Sequence, residues 1–276
     1  MFLKEKNGLG NAASTEGDPK RACDFYSLAI KSDPSCADPQ CFDAYLGRQA
    51  AYQELGRFAD AKRDLETIIE KTGQFSMAIP SLLSEDEIHR LVCHVEAQIH
   101  LAGLYAGPLH NLQQAWKEYT KAIDATKELL PLFGELQLLT IGQLYYMRAE
   151  VSEGEGKYQQ AREDWTMGIE KIKGVEKWNT DIENGILHRI RASHLLKKFR
   201  QAQEDCALLQ EHNSFSSFVA KLGYIFSEVD PERALRYWGE AYEDLKENNS
   251  ADKEALLHCV VQIWILNQSV RAWQNN

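Results

Sequence analysis

A short pattern, in which a glycine precedes an alanine by five residues, recurs along the 276-residue chain. Self-similarity at intervals of a few tens of residues is typical of proteins built from stacked copies of one supersecondary unit. The pattern therefore constrains the fold before any other motif is considered. It stands at Gly17–Ala22, Gly56–Ala61 and Gly156–Ala161, and weaker versions end at Ala115, Ala202 and Ala234.

The residues around the second copy show what the unit is. Gly56 can adopt the left-handed conformation that ends a helix. Ala61 is small where two helices approach closely, and Leu65 and Ile68 follow it on one apolar helical face. Asp18 and Pro19 are typical of a helix N-terminus, where Asp caps and Pro occupies the first turn. Each unit is predicted to be a pair of helices.

These positions resemble the tetratricopeptide repeat family, which places small and aromatic residues at fixed points of a helix pair. The resemblance implies an all-α, right-handed superhelical solenoid of about six such pairs with a C-terminal capping helix. The first repeat supplies Gly10, Gly17, Ala22, Tyr26, Ala29 and Pro34; the second Tyr52, Gly56, Ala61 and Leu65; the fourth Ala149, Gly156, Ala161, Trp165 and Ile169.

The repeats are irregular in length. The landmark alanines are separated by 39, 54, 46, 41 and 32 residues, whereas regular repeats of this kind span about 34. Ser84 and Glu87 form a capping-box sequence before a long helix, and Pro131 predicts a break before another. We predict one domain over 1–276, with repeats near 3–36, 42–75, 84–129, 135–175, 181–214 and 215–248 and a capping helix over 252–273.

Composition excludes several classes of partner. The net charge of −10, from 31 basic and 41 acidic residues, disfavours a nucleic-acid partner, which requires Lys and Arg to neutralise phosphates. No signal-peptide pattern opens the sequence and no apolar stretch is long enough to span a bilayer. The six cysteines form no C-x-x-C pair and are predicted to be reduced core thiols. A cytoplasmic or nuclear protein without a membrane partner is expected.

Motifs for catalysis are absent from the sequence, so no enzyme, catalytic residue, cofactor or metal is predicted. One group of residues provides a remote alternative, a metal-dependent enzyme. His89, Cys93, Glu96 and His100 are zinc-type ligands at steps of four, three and four along one helix. One straight helix cannot surround a metal with four ligands, so this alternative requires a ligand from a second helix.

The resemblance also implies a binding groove, lined by the inner face of the first helix of each pair. Solenoids of helix pairs commonly use such concave surfaces for protein partners. We therefore predict a non-enzymatic scaffold or adaptor that binds a peptide segment or partner subunit, with the oligomeric state left open. The predicted inner-face residues are Asn7, Asn11, Leu46, Ala50, Gln53, His100, Leu104, Tyr146, Glu150, Glu153, Leu187, Arg191 and His194.

A second interpretation is a chaperone cofactor with an altered carboxylate clamp. One branch of the family binds acidic chaperone tails through two lysines, two asparagines and one arginine. Asn11 matches, but a lysine position falls on Asn7 and the second asparagine position falls on Gly47. The lysine and arginine positions of the third repeat fall on Ala97 and Leu101. A carboxylate would therefore lack its charge-assisted partners.

Overall fold

The computed structural model describes residues 2–73, 83–175, 179–212, 215–227 and 230–247, together with 259, 262 and 263. Twelve α-helices cover most of these residues, and no strand occurs among them. The chain divides into two compact units, Met1–Glu155 and Gly156–Asn276. Each unit is described by itself.

The described residues of the first unit form seven helices, and consecutive helices pack against one another. In the second unit, α8 packs on α9, α9 on α10, and α11 on α12. The helices of the first unit are α1 Phe2–Thr15, α2 Pro19–Ser32, α3 Gln40–Glu54, α4 Phe58–Thr72, α5 Glu85–Ala106, α6 Leu112–Phe133 and α7 Glu135–Gly154. Those of the second are α8 Tyr158–Lys173, α9 Thr180–Leu195, α10 Phe199–Gln210, α11 Phe215–Phe226 and α12 Pro231–Glu247.

The predicted helix starts are confirmed. Asp18 accepts a hydrogen bond from the backbone N–H of Arg21 at 3.0 Å, with Pro19 in the first turn of α2. Ser84 and Glu87 form both halves of a capping box at the start of α5. The expected break at Pro131 is wrong: α6 continues through this proline to Phe133 and ends at Gly134, which has a φ of 60°.

The turns that follow α1, α3, α7 and α9 each contain a left-handed residue. Gly56 has a φ of 69°, and its N–H donates to the Gln53 carbonyl oxygen at 2.9 Å. Glycine adopts this conformation without the steric cost that a Cβ imposes. In the fifth repeat the same position is Lys197, with a φ of 59°, whose N–H donates to the His194 carbonyl oxygen at 2.8 Å.

Small residues allow the helices to approach, as the sequence predicted. Ala61 and Ala161 are completely buried. The ring of Tyr26, on α2, is inserted between Gly10 of α1 and Gly47 of α3. A Cβ atom at either glycine would lie within 3.0 Å of that ring, so only glycine leaves room for it.

The all-α helical-repeat class is confirmed, and the bounds of the individual repeats stay a prediction. The second helix pair ends with α4 at Thr72. The long helices predicted for the third pair are α5 and α6. The single array over 1–276 stays a prediction. The capping helix predicted over 252–273 lies outside the described residues except for 259, 262 and 263, which are helical.

Candidate functional site

The first helices of the first three pairs lie side by side, because α1 packs against α3 and α3 against α5. Five of the predicted inner-face residues on these helices remain accessible. We call them the inner surface: exposed Asn11, Ala50 and His100, and half-buried Leu46 and Gln53. The surface combines two amides, two aliphatic side chains and one imidazole, and it carries no Lys or Arg.

Three residues predicted on the inner face are buried instead. Asn7 donates from Nδ2 to the Gln40 carbonyl oxygen at 2.8 Å and so holds α1 against the start of α3. Leu104 and, in the second unit, Leu187 belong to the buried apolar core. Their packing explains the difference, because the part of a first helix that faces its neighbours cannot also contact a partner.

Asn11 is oriented from beneath by Tyr26. The Tyr26 hydroxyl donates to Asn11 Oδ1 at 2.7 Å. Burial raises the pKa of Tyr26, so the hydroxyl remains a donor at neutral pH. Since Oδ1 is the acceptor, this bond does not use the two Nδ2 donors of the exposed Asn11 side chain.

Arg48 follows Gly47, one of the clamp positions, and its side chain makes contacts within the molecule. Its Nε and Nη2 atoms donate to the two Asp64 carboxylate oxygens at 2.8 and 2.7 Å, and Nη1 donates to Ser27 Oγ at 3.1 Å. The guanidinium carbon also lies 5.3 and 5.7 Å from the ring centroids of Tyr45 and Tyr52. Arg48 therefore joins α2, α3 and α4 and is not presented to a ligand.

Of the three predicted residues on α7, Glu150 lies close to α6. Tyr146 and Glu153 are half-buried and Glu150 is exposed. Burial, and in second place the negative charge of Glu150, raise the pKa of Tyr119 on α6. Glu150 is thus near the Tyr119 side chain.

In the second unit, Arg191 is half-buried and His194 packs between helices. Nη1 of Arg233 donates to His194 Nδ1 at 2.9 Å, and the imidazole meets the Phe226 ring edge-on at 4.8 Å. Burial, followed by the Arg233 charge, lowers the pKa of His194. The imidazole is therefore an internal acceptor between α9 and α12, whereas its contact with a partner stays a prediction.

The His/Cys stripe on α5 does not act as one set of four ligands. Glu96 and His100 are exposed and lie outside the cluster formed by His89 and Cys93. That cluster is completed by Asp43 of α3, whose Oδ1 lies 3.0 Å from His89 Nε2 and 3.8 Å from Cys93 Sγ. Sequence reasoning missed Asp43 because it is 46 residues from His89, and only packing of α3 on α5 brings them together.

A cavity of about 350 Å³ in the first unit is lined by residues of α5, α6 and the end of α4, among them His94, Lys121 and Glu128. The Thr72 hydroxyl donates to the Ile68 carbonyl oxygen at 2.6 Å. Its oxygen therefore accepts from His94 Nδ1 at 2.8 Å, which leaves His94 Nε2 as an acceptor. Burial lowers the pKa of His94, so the imidazole is neutral at pH 7.

No family model matches the sequence, and no curated protein matches it. None of the helices in the described ranges combines the length and the apolar character that crossing a bilayer demands. The chain is, however, similar in structure to solved helical-repeat proteins. The apo form of RapI is 10% identical with a TM-score of 0.63, covering 98% of this chain and 76% of RapI.

Two further structures show the same likeness. A signal-transduction ATPase with a tetratricopeptide repeat sensor from Pyrococcus horikoshii is 12% identical with a TM-score of 0.57, covering 95% of this chain and 38% of the ATPase. Tetratricopeptide-like repeats of a putative kinesin light chain from Podospora anserina are 14% identical with a TM-score of 0.55, covering 83% and 96%. The fold is that of a tetratricopeptide-type helical repeat protein.

Proposed function

We propose that the chain is a non-enzymatic scaffold that binds a peptide segment or partner subunit along the inner surface of the first unit. The observation that carries this proposal is the contrast between landmark and inner-face residues. The landmark residues Ala61 and Tyr26 are buried in the helix packing, whereas Ala50 and His100 are exposed on the neighbouring helices α3 and α5.

The chemistry of the inner surface suits an extended, uncharged or weakly basic segment. The amides of Asn11 and Gln53 can hydrogen-bond to a peptide backbone, and Leu46 offers apolar contact. Partial desolvation by its neighbours lowers the pKa of His100, which favours its neutral form. Because this surface carries no fixed positive charge, an acidic partner gains no charge-assisted hydrogen bond there.

The chaperone-cofactor alternative has less support. Of the clamp positions, Asn7 is engaged with the Gln40 carbonyl oxygen and Gly47 makes room for Tyr26. Ala97 and Leu101 are buried, so substitution of a charged residue there would not place it at the surface. A carboxylate clamp would have to be built from other residues.

The remaining predicted positions are kept as part of the proposal. Tyr146 and Glu150 extend the candidate surface onto α7, and Arg191 and His194 are candidates in the second unit. We also propose a cytoplasmic or nuclear protein with protein partners and without nucleic-acid or membrane partners, from its negative net charge and from its apolar patterning.

The experiment compares two exposed sites with the same introduced residue. Ala50→Arg adds bulk and charge to the inner surface, and Leu28→Arg adds them on α2, where Leu28 is 43% exposed. A photo-reactive amino acid at Gln53 first identifies the partner by cross-linking in native lysate. The two variants are then tested against that partner, in purified form, by titration calorimetry.

The proposal expects Ala50→Arg to weaken binding at least tenfold and Leu28→Arg to leave it unchanged, with both variants equally helical. Equal binding by both variants would place the interface elsewhere on the molecule. Turnover of a small-molecule substrate by the purified wild-type chain would contradict the non-enzymatic part.

A further inference from the structure

Three potential metal ligands converge from two helices of the first unit. Asp43 is in the first turn of α3, and His89 and Cys93 are one helical turn apart on α5. The carboxylate oxygen, imidazole nitrogen and sulfur all lie within 4.8 Å of one another. His89 and Cys93 use the i, i+4 spacing with which one helix can supply two ligands to the same ion.

The separations suit a tetrahedral ion of the zinc class. With bonds of about 2.0–2.1 Å to nitrogen and oxygen and about 2.3 Å to sulfur, neighbouring ligand atoms are about 3.3–3.5 Å apart. The Asp43 Oδ1 atom is 3.0 Å from His89 Nε2 and 3.8 Å from Cys93 Sγ. Each of these two distances therefore needs to change by only a few tenths of an ångström, which side-chain rotation can provide, and the His89 and Cys93 ligand atoms are at most 4.8 Å apart.

The surroundings favour a cation with one open coordination position. Cys93 is buried, whereas the side chains of Asp43 and His89 are 44% and 38% exposed. Asp43 and His89 line a cavity of about 260 Å³, and Asp38, Glu85 and Asp86 add carboxylates to its lining. The negative groups attract a divalent cation, and the cavity leaves space for a water or a further oxygen ligand.

We propose that Asp43, His89 and Cys93 bind a divalent transition-metal ion of the zinc class and so tie α3 to α5. The ligand set of one thiolate, one imidazole and one carboxylate selects Zn²⁺ and Co²⁺ over Mg²⁺ and Ca²⁺, which prefer oxygen ligands. Binding replaces the proton of the Cys93 thiol, which is released to water, and uses the Nε2 lone pair of a neutral His89 that carries its ring proton on Nδ1.

The test uses the full chain after treatment with a chelator and removal of the chelator. Co²⁺ is titrated in, because a Co²⁺–thiolate bond gives a charge-transfer absorption that reports the sulfur ligand directly. The expected result is one ion per chain, a thiolate band that Zn²⁺ displaces, and a higher thermal unfolding midpoint with Zn²⁺. Mg²⁺ should produce neither effect.

Variants separate this site from other thiols. Cys93→Ala should abolish the thiolate band, and His89→Gln should weaken Co²⁺ binding at least about tenfold, since even loss of an outer-shell partner commonly costs that much. His100→Gln, on the exposed part of α5, is the matched control and should bind Co²⁺ with the affinity of the wild type. His89 is partly exposed, so His89→Gln is expected to fold if Cys93→Ala does not.

Two results would overturn the proposal. One is no saturable Co²⁺ or Zn²⁺ binding by the wild-type chain. The other is a thiolate band that persists in folded Cys93→Ala. That band would come from a different pair of thiols, for which Cys36 and Cys41, with sulfurs 2.8 Å apart, are the candidates.

Discussion

Arg48 on α3 and Asp64 on α4 form a two-pronged ion pair, with N···O distances of 2.8 and 2.7 Å. The two side chains are only 16% and 6% exposed. In the second unit, Arg189 and Asp205 repeat the arrangement at 2.9 and 2.5 Å, and in both pairs the residues are 16 positions apart. The pair thus joins the first and second helices of a repeat by the same contact in each unit.

Asp64→Ala should lower the free energy of unfolding by about 3 kcal/mol, since it leaves the buried Arg48 guanidinium without its counter-charge. Denaturant unfolding followed by circular dichroism measures the change. The matched control is Asp60→Ala on the same helix, which removes a surface partner of Arg57 and Arg63 and should change stability little. Similar losses for the two variants would mean that burial does not distinguish the pairs.

Gly47→Ala should destabilise the first unit by about 1–3 kcal/mol, because the added Cβ would overlap the Tyr26 ring and force repacking. Gly8→Ala is the control on α1, where no atom lies within 4 Å of the added Cβ. That change should be neutral or stabilising by up to about 1 kcal/mol, since alanine is the better helix former. Thermal unfolding of both variants tests the expected difference in sign.

Lys197→Gly should raise the free energy of unfolding by about 1 kcal/mol. A lysine held at a φ of 59° carries the steric cost of the left-handed region, which glycine avoids. The reverse change at the equivalent turn, Gly56→Lys, should lower stability by a similar amount. A destabilised Lys197→Gly variant would show that the lysine side chain contributes more than the backbone strain removes.

Stability should fall as the pH drops below about 6.5, in part because of His94. Its pKa is lower in the folded state than in the unfolded state, since burial disfavours the charged ring. The unfolded chain therefore takes up a proton first, and this contribution to stability is present above the unfolded pKa and lost as the pH falls through the folded value.

His94→Asn keeps a donor for Thr72 but cannot titrate, so its unfolding midpoint should fall less between pH 7 and pH 5 than that of the wild type. His110→Asn, at an exposed turn position, is the control. Part of the slope should remain in His94→Asn, because desolvation also lowers the pKa of His100 and His194, whereas His110→Asn should keep the slope of the wild type. The cavity groups Lys121, Asp124 and Glu128 are unchanged in both variants. Identical slopes for His94→Asn and the wild type would count against His94.

Tyr146→Ala and Arg191→Ala should each weaken partner binding by at least about 1 kcal/mol, because tyrosine and arginine are the residue types most often found at binding hot spots. The partner captured through Gln53 is titrated against each variant at low and high salt. Both variants must remain folded by circular dichroism. Unchanged affinity in both would restrict the site to α1, α3 and α5.

The sequence by itself determined the helix pairs and the turns between them, because these depend on residues that are close in the chain. Asp18 caps α2 and Ser84 caps α5 through contacts within three residues. The alanine spacing likewise predicted the burial of Ala61 and Ala161. Lys197 stands where other repeats have glycine. It lies in the turn five residues before Ala202, as the spacing of the other repeats predicts.

Only the tertiary structure decided which polar residues make contacts within the molecule and which are exposed. Asn7 looked like a groove residue until α3 placed the Gln40 carbonyl oxygen beside it. Nothing in the sequence around Asp43 indicates a metal site. Asp43 becomes a candidate ligand only because packing places it beside His89, on a helix that begins 42 residues later. Such contacts join residues far apart in sequence, and their geometry follows from how the helices pack, which no local pattern encodes.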